Sequence, residues 1–564
     1  MAKKNEVVEI VIDKVDFPNR GRGTFEGQTV KFKGGIKGQK VKVRVGKIRN
    51  GIIEAKVLEV LEKSPIETEV GCSHFGICGG CTYQSISYEN ELKLKEDQVR
   101  SLFEQENLDI NLLGIEPSPI VGAYRNKMEY TFGDEIKEGP LSVGLHMRGR
   151  FYEIINVSGC NIVDNDFTLV RETVRNFFED KKQSFYKTRQ RKGLLRHLVV
   201  RKALSSGEIL INLVTTSQEE VDKEALLNKL LNLSNGDGSF CLEGKIAGIL
   251  HTTNDGLGDV VKADKLELLY GRDYITEEIL GLKFKISPFS FFQTNTIGAE
   301  KLYSIVRDFT GDIDDKVVFD LYSGTGTIAQ IMAPVAKKVI GIEIVSEAVE
   351  TAKENAKLNG LSNVEFIAGD VLLAVDNLTE KPDLIVLDPP REGIHPKAIN
   401  KIIDFNPEIF VYVSCNPITL VRDLRIFKER GYEVKKAKLM DMFPRTPHVE
   451  TVVSLSHKNA DTHINVNVEF GDEEGQIPID EIARKAEEYR PSERVTYKII
   501  QEYIENKYNF KVHTAYIAEV KRDLGLPMYD APNAVEELKQ ERKHPIPEKV
   551  EAIKDALRHF GVIQ

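Results

Sequence analysis

The feature that most constrains this chain is a repeated pattern between residues 283 and 458. Short apolar runs ("VVFDLYSGTGTIA", "KVIGIEIV", "VEFIAGDV", "LIVLDPPR", "IFVYVSCNP", "YEVKKAKLMDMFP" and "ETVVSLSHK") alternate with stretches of helical spacing. Most of these runs are too continuously apolar for a strand with one wet face, so both faces must be covered. Strand–helix alternation of this kind specifies a doubly wound sheet. Such sheets bind ligands beyond the carboxyl ends of their strands. The residues at those ends are therefore the first candidates for function.

The first such end is a glycine loop. Gly324 and Gly326, in the spacing GxGxxA, let the backbone turn tightly and approach a ligand. Glu343 ends the next run, 19 residues after Gly324, where a carboxylate can accept both hydroxyls of a ribose. A nicotinamide dinucleotide and S-adenosylmethionine both satisfy these features. Asp388 separates them. It ends the run "LIVLD" and is followed by two prolines, and an Asp-Pro-Pro loop at that edge resembles methyltransferases, not dehydrogenases. Cys415 ends "IFVYVS". A core position is the ordinary fate of such a thiol; a strand end beside a loop also gives exposure and room for pKa tuning.

The chain has six cysteines, Cys72, Cys78, Cys81, Cys160, Cys241 and Cys415. The first three fall within ten residues, which points to a metal or cluster and not to a disulfide framework. Cys160, in "VSGCNI", can complete a four-thiolate set through the fold. Zinc and iron–sulfur both accept four thiolates, and the residues leave that choice open. Cys241 fits no pattern and is expected to be structural.

A length of 564 residues is too great for one core. The expectation is a multi-domain α/β protein: a small β-barrel over 1–63, a mixed α/β central domain over 64–282, the doubly wound domain over 283–458 and a mostly helical accessory domain over 459–564. The helix expected at 88–106 is a candidate to pack on the doubly wound domain. The start has no leader-like apolar stretch and no run of 18 apolar residues occurs, so the expected location is the cytoplasm. The net charge of −10 is unevenly spread. Residues 1–63 carry 15 Lys and Arg against 8 Asp and Glu, or +7; residues 459–564 carry 15 against 21, or −6. Lysines and arginines alternating along the barrel strands should line its outer face and meet phosphates. A basic run with two aromatics, "KKQSFYKTRQRKGLLRH", is either a solvated loop or an RNA contact. In the C-terminal region the first two helical segments, joined by a short link, have the spacing of a helix-turn-helix; an accessory helical domain is preferred because of the negative charge.

Taken in order, "CSHFGICGGC" (72–81), "FSFFQTN" (289–295), "DLYSGTGT" (320–327), "LDPPREG" (387–393), "VSCNP" (413–417) and "PHVET" (447–451) resemble the RNA uracil-C5 methyltransferases. The likeness covers roughly residues 5–457. Barrel plus cysteine cluster resembles the branch acting on 23S ribosomal RNA; the transfer-RNA branch is similar in its catalytic domain but lacks both. The resemblance implies a TRAM (OB-like) barrel and a Rossmann-like catalytic domain. It implies an S-adenosylmethionine site at Gln293, Tyr322, Glu343 and Asp388. It further implies a cysteine nucleophile at Cys415, a general base at Glu450 and a 4Fe-4S cluster on Cys72, Cys78, Cys81 and Cys160. The implied substrate is an unpaired or flipped uridine, because carbons 5 and 6 are stacked within a helix. Phe289, Phe291 and Phe292 are candidates to stack on it, with at least one expected in the core. No membrane is implied, and a monomer is expected. Two other functions compete: an amino methyltransferase, which would need neither Cys415 nor Glu450, and a noncatalytic RNA-binding or assembly factor.

Overall fold

The computed structural model describes residues 2–234, 241–258, 263–374, 378, 380–457, 497–508, 510–524, 547–560 and 562. It divides into two compact units, Met1–Thr462 and His463–Gln564.

At the N-terminus, alternating sequences fold into a six-stranded sheet. Its order is Val7–Val11, Lys40–Arg49, Ile52–Glu62, Gln28–Lys33, Arg20–Phe25, Lys14–Asp16. The period of two puts Val8, Ile10, Val30, Val41, Val43, Val45 and Ile53 inside. Lys40, Lys42 and Arg44 point away from them, as the alternation predicts. The sheet curls on itself: Asp13 N–H donates to Arg22 O at 3.0 Å, and a side chain at Gly23 would meet Val11 O at 2.5 Å.

A seven-stranded sheet follows in the order Ile154–Ile155, Leu141–His146, Lys127–Asp134, Leu195–Lys202, Glu208–Thr215, Lys245–Thr253, Lys265–Gly271. The helices Asn165–Asp180 and Lys223–Asn232 bury Phe167, Val170, Val174, Phe178, Leu226 and Leu230 into its core.

The third sheet has eight strands in the order Val364–Ala368, Lys338–Glu343, Val317–Leu321, Leu384–Leu387, Ile409–Ser414, Glu450–His457, Tyr432–Met440, Leu112–Glu116. The first five are parallel. Glu450–His457 runs antiparallel to both its neighbours. The sheet is packed on two faces by separate apolar clusters, which explains the continuous apolar runs. Its last strand was not legible. Leu112–Glu116 comes from the stretch read as the central domain, yet it pairs in parallel with Tyr432–Met440. The helix just before it, Tyr88–Gln105, buries Val99 and Phe103 in the same cluster as Phe319, Leu387 and Phe427. Lys95 on this helix is fully buried between Glu91 and Asp441, at 2.7 Å from each.

In the second unit, Tyr497–Tyr508, Thr514–Asp523 and Pro547–His559 are helices sharing a core of Ile500, Ile504, Ile517, Val520, Ile553 and Leu557. The rest of the region expected to form an accessory domain, 459–496, 509, 525–546, 561 and 563–564, lies outside the described residues. Among the described residues, no helix is long and apolar enough to cross a membrane.

Candidate active site

The carboxyl edge of the parallel strands opens on a cavity of about 690 Å³. Gln293, Tyr322, Gly324, Glu343, Asp388, Cys415 and Glu450 all line it, so seven residues scattered over 158 positions of sequence share one space.

The glycine loop forms its floor. Tyr322 follows the strand Val317–Leu321 directly and has φ of 70°. A bulky side chain rarely adopts that conformation, and holding it there costs on the order of 1–3 kcal/mol. The next strand holds it: the N–H groups of Tyr322 and Ser323 both donate to Ile342 O at 3.0 Å. Gly324 N–H donates to Glu343 Oε2, and Val345 N–H to Glu343 Oε1, each at 3.0 Å. Glu343 is thus fixed by two backbone donors while its remaining lone pairs stay available to a ribose. Gly326 stands behind the cavity wall as the N-cap of Thr327–Met332. It has φ of 74°, and a Cβ there would come within 2.5 Å of the Phe366 ring.

Cys415 follows the strand Ile409–Ser414. The antiparallel register pairs Ser414 with Thr451, so one step further along the two strands Cys415 and Glu450 occupy opposing positions. The loop expected after Cys415 is instead a helix start. Asn416 caps Pro417–Glu429, accepting the Ile418 N–H at 3.2 Å, and its Nδ2 donates to Arg391 O at 2.9 Å. Thr419 Oγ1 donates to the same carbonyl at 3.2 Å. The segment after Asp388 is therefore tied to the segment carrying the thiol.

Electrostatics separate the roles. Burial, with Asp388 nearby, raises the Glu450 carboxyl to about 8, and the Arg391 guanidinium opposes this. Asp388 is raised by burial to about 7. Burial, then Glu450 and Asp388, push the Cys415 thiol up to about 11, again against Arg391. In the free protein Cys415 is a thiol, and Glu450 changes protonation state near neutral pH. Asp320 accepts the Ala329 N–H at 2.9 Å and is raised to about 8 by burial and then by Asp388.

Of the three candidate stacking phenylalanines, Phe292 is core, 5% exposed and packed on Phe284 at 5.9 Å between ring centroids. Phe291 is 69% exposed, and both it and Phe289 line the cavity. The sequence did not single out Arg391, Phe443 or Ser323, which also line it. Ser323 Oγ is buried without a hydrogen-bond partner, a polar atom available to a ligand. Arg391 stands directly after the quoted Asp-Pro-Pro, but its placement depends on Asn416, 25 residues on.

The four cysteines of the expected metal set are neighbours. Cys81 feels Cys160, Cys78 and Cys72 electrostatically, and burial leads the rise of its thiol to about 11. Gly80 N–H donates to Cys78 Sγ at 3.3 Å, and Gln84 Nε2 to Cys81 Sγ at 3.5 Å. N–H groups aimed at sulfur suit thiolate ligands, so the donor chemistry fits. The geometry is not closed: among the described residues no three His, Cys, Asp or Glu side chains are disposed to hold a metal ion. The metal centre expected from sequence is therefore a gathering of thiols and not a formed cage. Cys241 lies apart, its Sγ on Leu242 O at 3.5 Å.

A parallel sheet with a glycine loop, a carboxylate fixed at the second strand end and an Asp-Pro-Pro loop at the fourth defines an S-adenosylmethionine-type methyltransferase. Comparison with known proteins narrows the class. Residues 250–458 match the family model described as tRNA (Uracil-5-)-methyltransferase. An uncharacterized RNA methyltransferase of Caldanaerobacter subterraneus subsp. tengcongensis is 53% identical over 450 residues, covering 80% of this chain and 98% of its own. One of Clostridium tetani is 51% identical over 460 residues, covering 81% and 99%. The Pyrococcus abyssi tRNA (uracil-54, C5)-methyltransferase, solved with S-adenosyl-L-homocysteine, shares the fold: TM-score 0.61 and 24% identity over 79% of this chain and 100% of that one. The chain belongs to the same family as these RNA methyltransferases and is a methyltransferase enzyme.

Proposed function

We propose that this enzyme methylates carbon 5 of an unpaired or flipped uridine in 23S ribosomal RNA through a transient bond between Cys415 and carbon 6 of the uracil. The observation that carries the reading is the register that brings Cys415 and Glu450 to opposing positions in one cavity with Asp388 and Glu343. S-adenosylmethionine supplies an electrophilic methyl group; Gln293, Tyr322, Glu343 and Asp388 are the residues that would hold it. Carbon 5 of uracil is a weak nucleophile. Cys415 gives up its thiol proton to solvent, and attack of the Sγ thiolate on carbon 6 makes carbon 5 an enolate carbon able to take a methyl group, splitting one hard step into easier ones. Glu450 then removes the carbon 5 proton, and the returning electron pair expels Sγ. A base titrating near the working pH suits that step.

The N-terminal sheet serves as a TRAM-type barrel that meets RNA phosphates with its outward lysines. Cys72, Cys78, Cys81 and Cys160 carry a 4Fe-4S cluster with a structural or RNA-positioning task, supported by the four-thiol donor set and its N–H donors. Barrel and thiols favour ribosomal RNA; transfer RNA is the competing substrate, in keeping with the Pyrococcus abyssi enzyme. The deciding experiment is tritium release from carbon-5-tritiated 23S RNA and transfer RNA, with native protein and Cys415→Ala. Release from 23S RNA that needs both Cys415 and S-adenosylmethionine supports the proposal. Release from transfer RNA alone reassigns the substrate. Methylation without release sinks carbon 5 chemistry.

A further inference from the structure

The basic run singled out in the sequence forms a second binding feature, on the seven-stranded sheet. Residues 181–197 hold seven Lys and Arg and no Asp or Glu. They build a hairpin fixed by its own backbone: Tyr186 N–H donates to Leu195 O and Lys187 N–H to Lys192 O, both at 2.8 Å. Gln218 clamps its far side, donating to Arg191 O at 3.0 Å and accepting from Gly193 N–H at 3.1 Å. Arg196 is committed to carbonyls of residues 254–258 and lies over the Tyr186 ring at 4.5 Å. The hairpin is therefore preorganised, and its cations at Lys187, Arg189, Arg191 and Lys192 are presented by a rigid frame.

Beside it opens a cavity of about 340 Å³, separate from the catalytic one. Two aromatic side chains on its rim, Phe151 and Tyr152, are 55% and 52% exposed. Their geometry is platform-like: Arg189 lies over Tyr152 at 4.3 Å, and Phe151 is stacked on His146 at 5.1 Å with ring planes 20° apart. Adjacent exposed aromatic rings beside a cavity mark a candidate binding surface. The lining also includes the carboxylates Asp134, Glu138 and Glu153, together with Lys137. A cavity lined by π faces, cations and hydrogen-bond acceptors matches one ligand class. A single-stranded nucleotide offers a base to stack, a phosphate to neutralise and base N–H groups to donate.

We infer that this cavity is a second nucleotide site. It takes an unpaired nucleotide of the RNA substrate, base against Phe151 and Tyr152 and phosphate on Lys187 and Arg189, and so registers the RNA while the target uridine enters the catalytic cavity. The inference rests on the RNA-methylation reading for its substrate and is tested apart from it. Binding of a fluorescein-labelled single-stranded oligouridylate is measured by anisotropy, in protein carrying Cys415→Ala so that no turnover intervenes. Stacking is worth about 1–3 kcal/mol per base. The double change Phe151→Ala, Tyr152→Ala is therefore expected to weaken binding at least tenfold, with Phe151→Trp retaining it. Lys187→Gln with Arg189→Gln should lower the slope of log affinity against log salt by about 1–2. Phe151, Tyr152 and Arg189 are exposed and Lys187 is half-buried, and unchanged melting temperatures identify folded variants; if the alanine pair melts early, the salt slope of the glutamine pair decides. Folded variants that bind within twofold of the parent, with an unchanged salt slope, overturn the site. The same protein with Cys415 intact is assayed for methylation in parallel. Lost binding in a protein that never methylates RNA leaves the site standing and sinks the catalytic proposal; normal binding in a protein that methylates does the reverse.

Discussion

Glu450→Gln is the sharpest perturbation of the proposed mechanism. The side chain is 5% exposed, and Gln preserves its shape while removing its charge. Deleting a general base costs about 10²- to 10⁴-fold in rate, or about 3–5 kcal/mol of barrier. The loss should fall on one step. Glu450 is among the groups that push the Cys415 thiol up, so its neutralisation does not hinder attack on carbon 6. Methyl transfer proceeds, the carbon 5 proton stays, and a methylated protein–RNA adduct accumulates. The assay is a single turnover with methyl-labelled S-adenosylmethionine, reading an adduct on denaturing gels that survives in Glu450→Gln and is absent when Cys415→Ala is added. Native enzyme supplies a second signature. With Glu450 at about 8 and Cys415 at about 11, both groups must lose a proton, so kcat/KM should rise about a hundredfold per pH unit below about pH 8 and about tenfold per unit above it. The variant should lose the steeper part and keep the tenfold rise that belongs to the thiol. Stability has a definite sign too. The folded carboxyl is raised above its ordinary value of 4.5, so its contribution is full below about pH 4.5 and lost as pH rises through about 8. The variant should melt like native protein at pH 5 and later than it above pH 8. Turnover within threefold of native, or loss of methyl transfer without any adduct, would refute Glu450 as the base.

Three further perturbations probe the frame. Glu343→Ala should raise the KM for S-adenosylmethionine about 10- to 100-fold, the value of one to two lost charge-assisted hydrogen bonds, read from initial rates at saturating RNA. Gly326→Ala forces a Cβ against the Phe366 ring in a left-handed backbone; a loss of about 2–4 kcal/mol in urea unfolding is expected. Lys95→Met leaves Asp441 buried without its lysine and Glu91 with Arg445 alone, at 3.5 Å, which should cost about 3–5 kcal/mol by the same measurement.

What the sequence disclosed follows from how much of each interaction is local. The parallel strands are covered on both faces, so their apolar runs stand out and their last residues, Glu343 and Asp388, could be read as edge positions. Leu112–Glu116 could not: it is a short strand at the sheet edge, only partly buried, and its partner lies more than 300 residues away. The alternating strands of the N-terminal sheet were legible because a period of two needs no partner to be seen. Tyr322 was legible as a motif member but not as a strained residue, since its φ is imposed by the carbonyl of Ile342 on the neighbouring strand. Cys72, Cys78 and Cys81 were legible as a group through spacing, which neither reaches Cys160 nor supplies ligand geometry.

The meeting of Cys415 with Glu450 shows the limit most clearly. Each residue could be seen at the end of an apolar run, but not that the two runs are neighbours. Between them the chain makes the helix Pro417–Glu429, the strand Tyr432–Met440 and a loop, then re-enters the sheet in the opposite direction. That reversal converts a strand start at Glu450 and a strand end at Cys415 into adjacent positions on one edge; a parallel insertion would have put them at opposite ends of the sheet. Strand side chains alternate between faces, so a one-residue slip would turn Glu450 away from the thiol. The catalytic pair proposed here is therefore a property of strand order and register. The buried residues Val411, Val413, Val452 and Val453, which carry none of the chemistry, hold it in place.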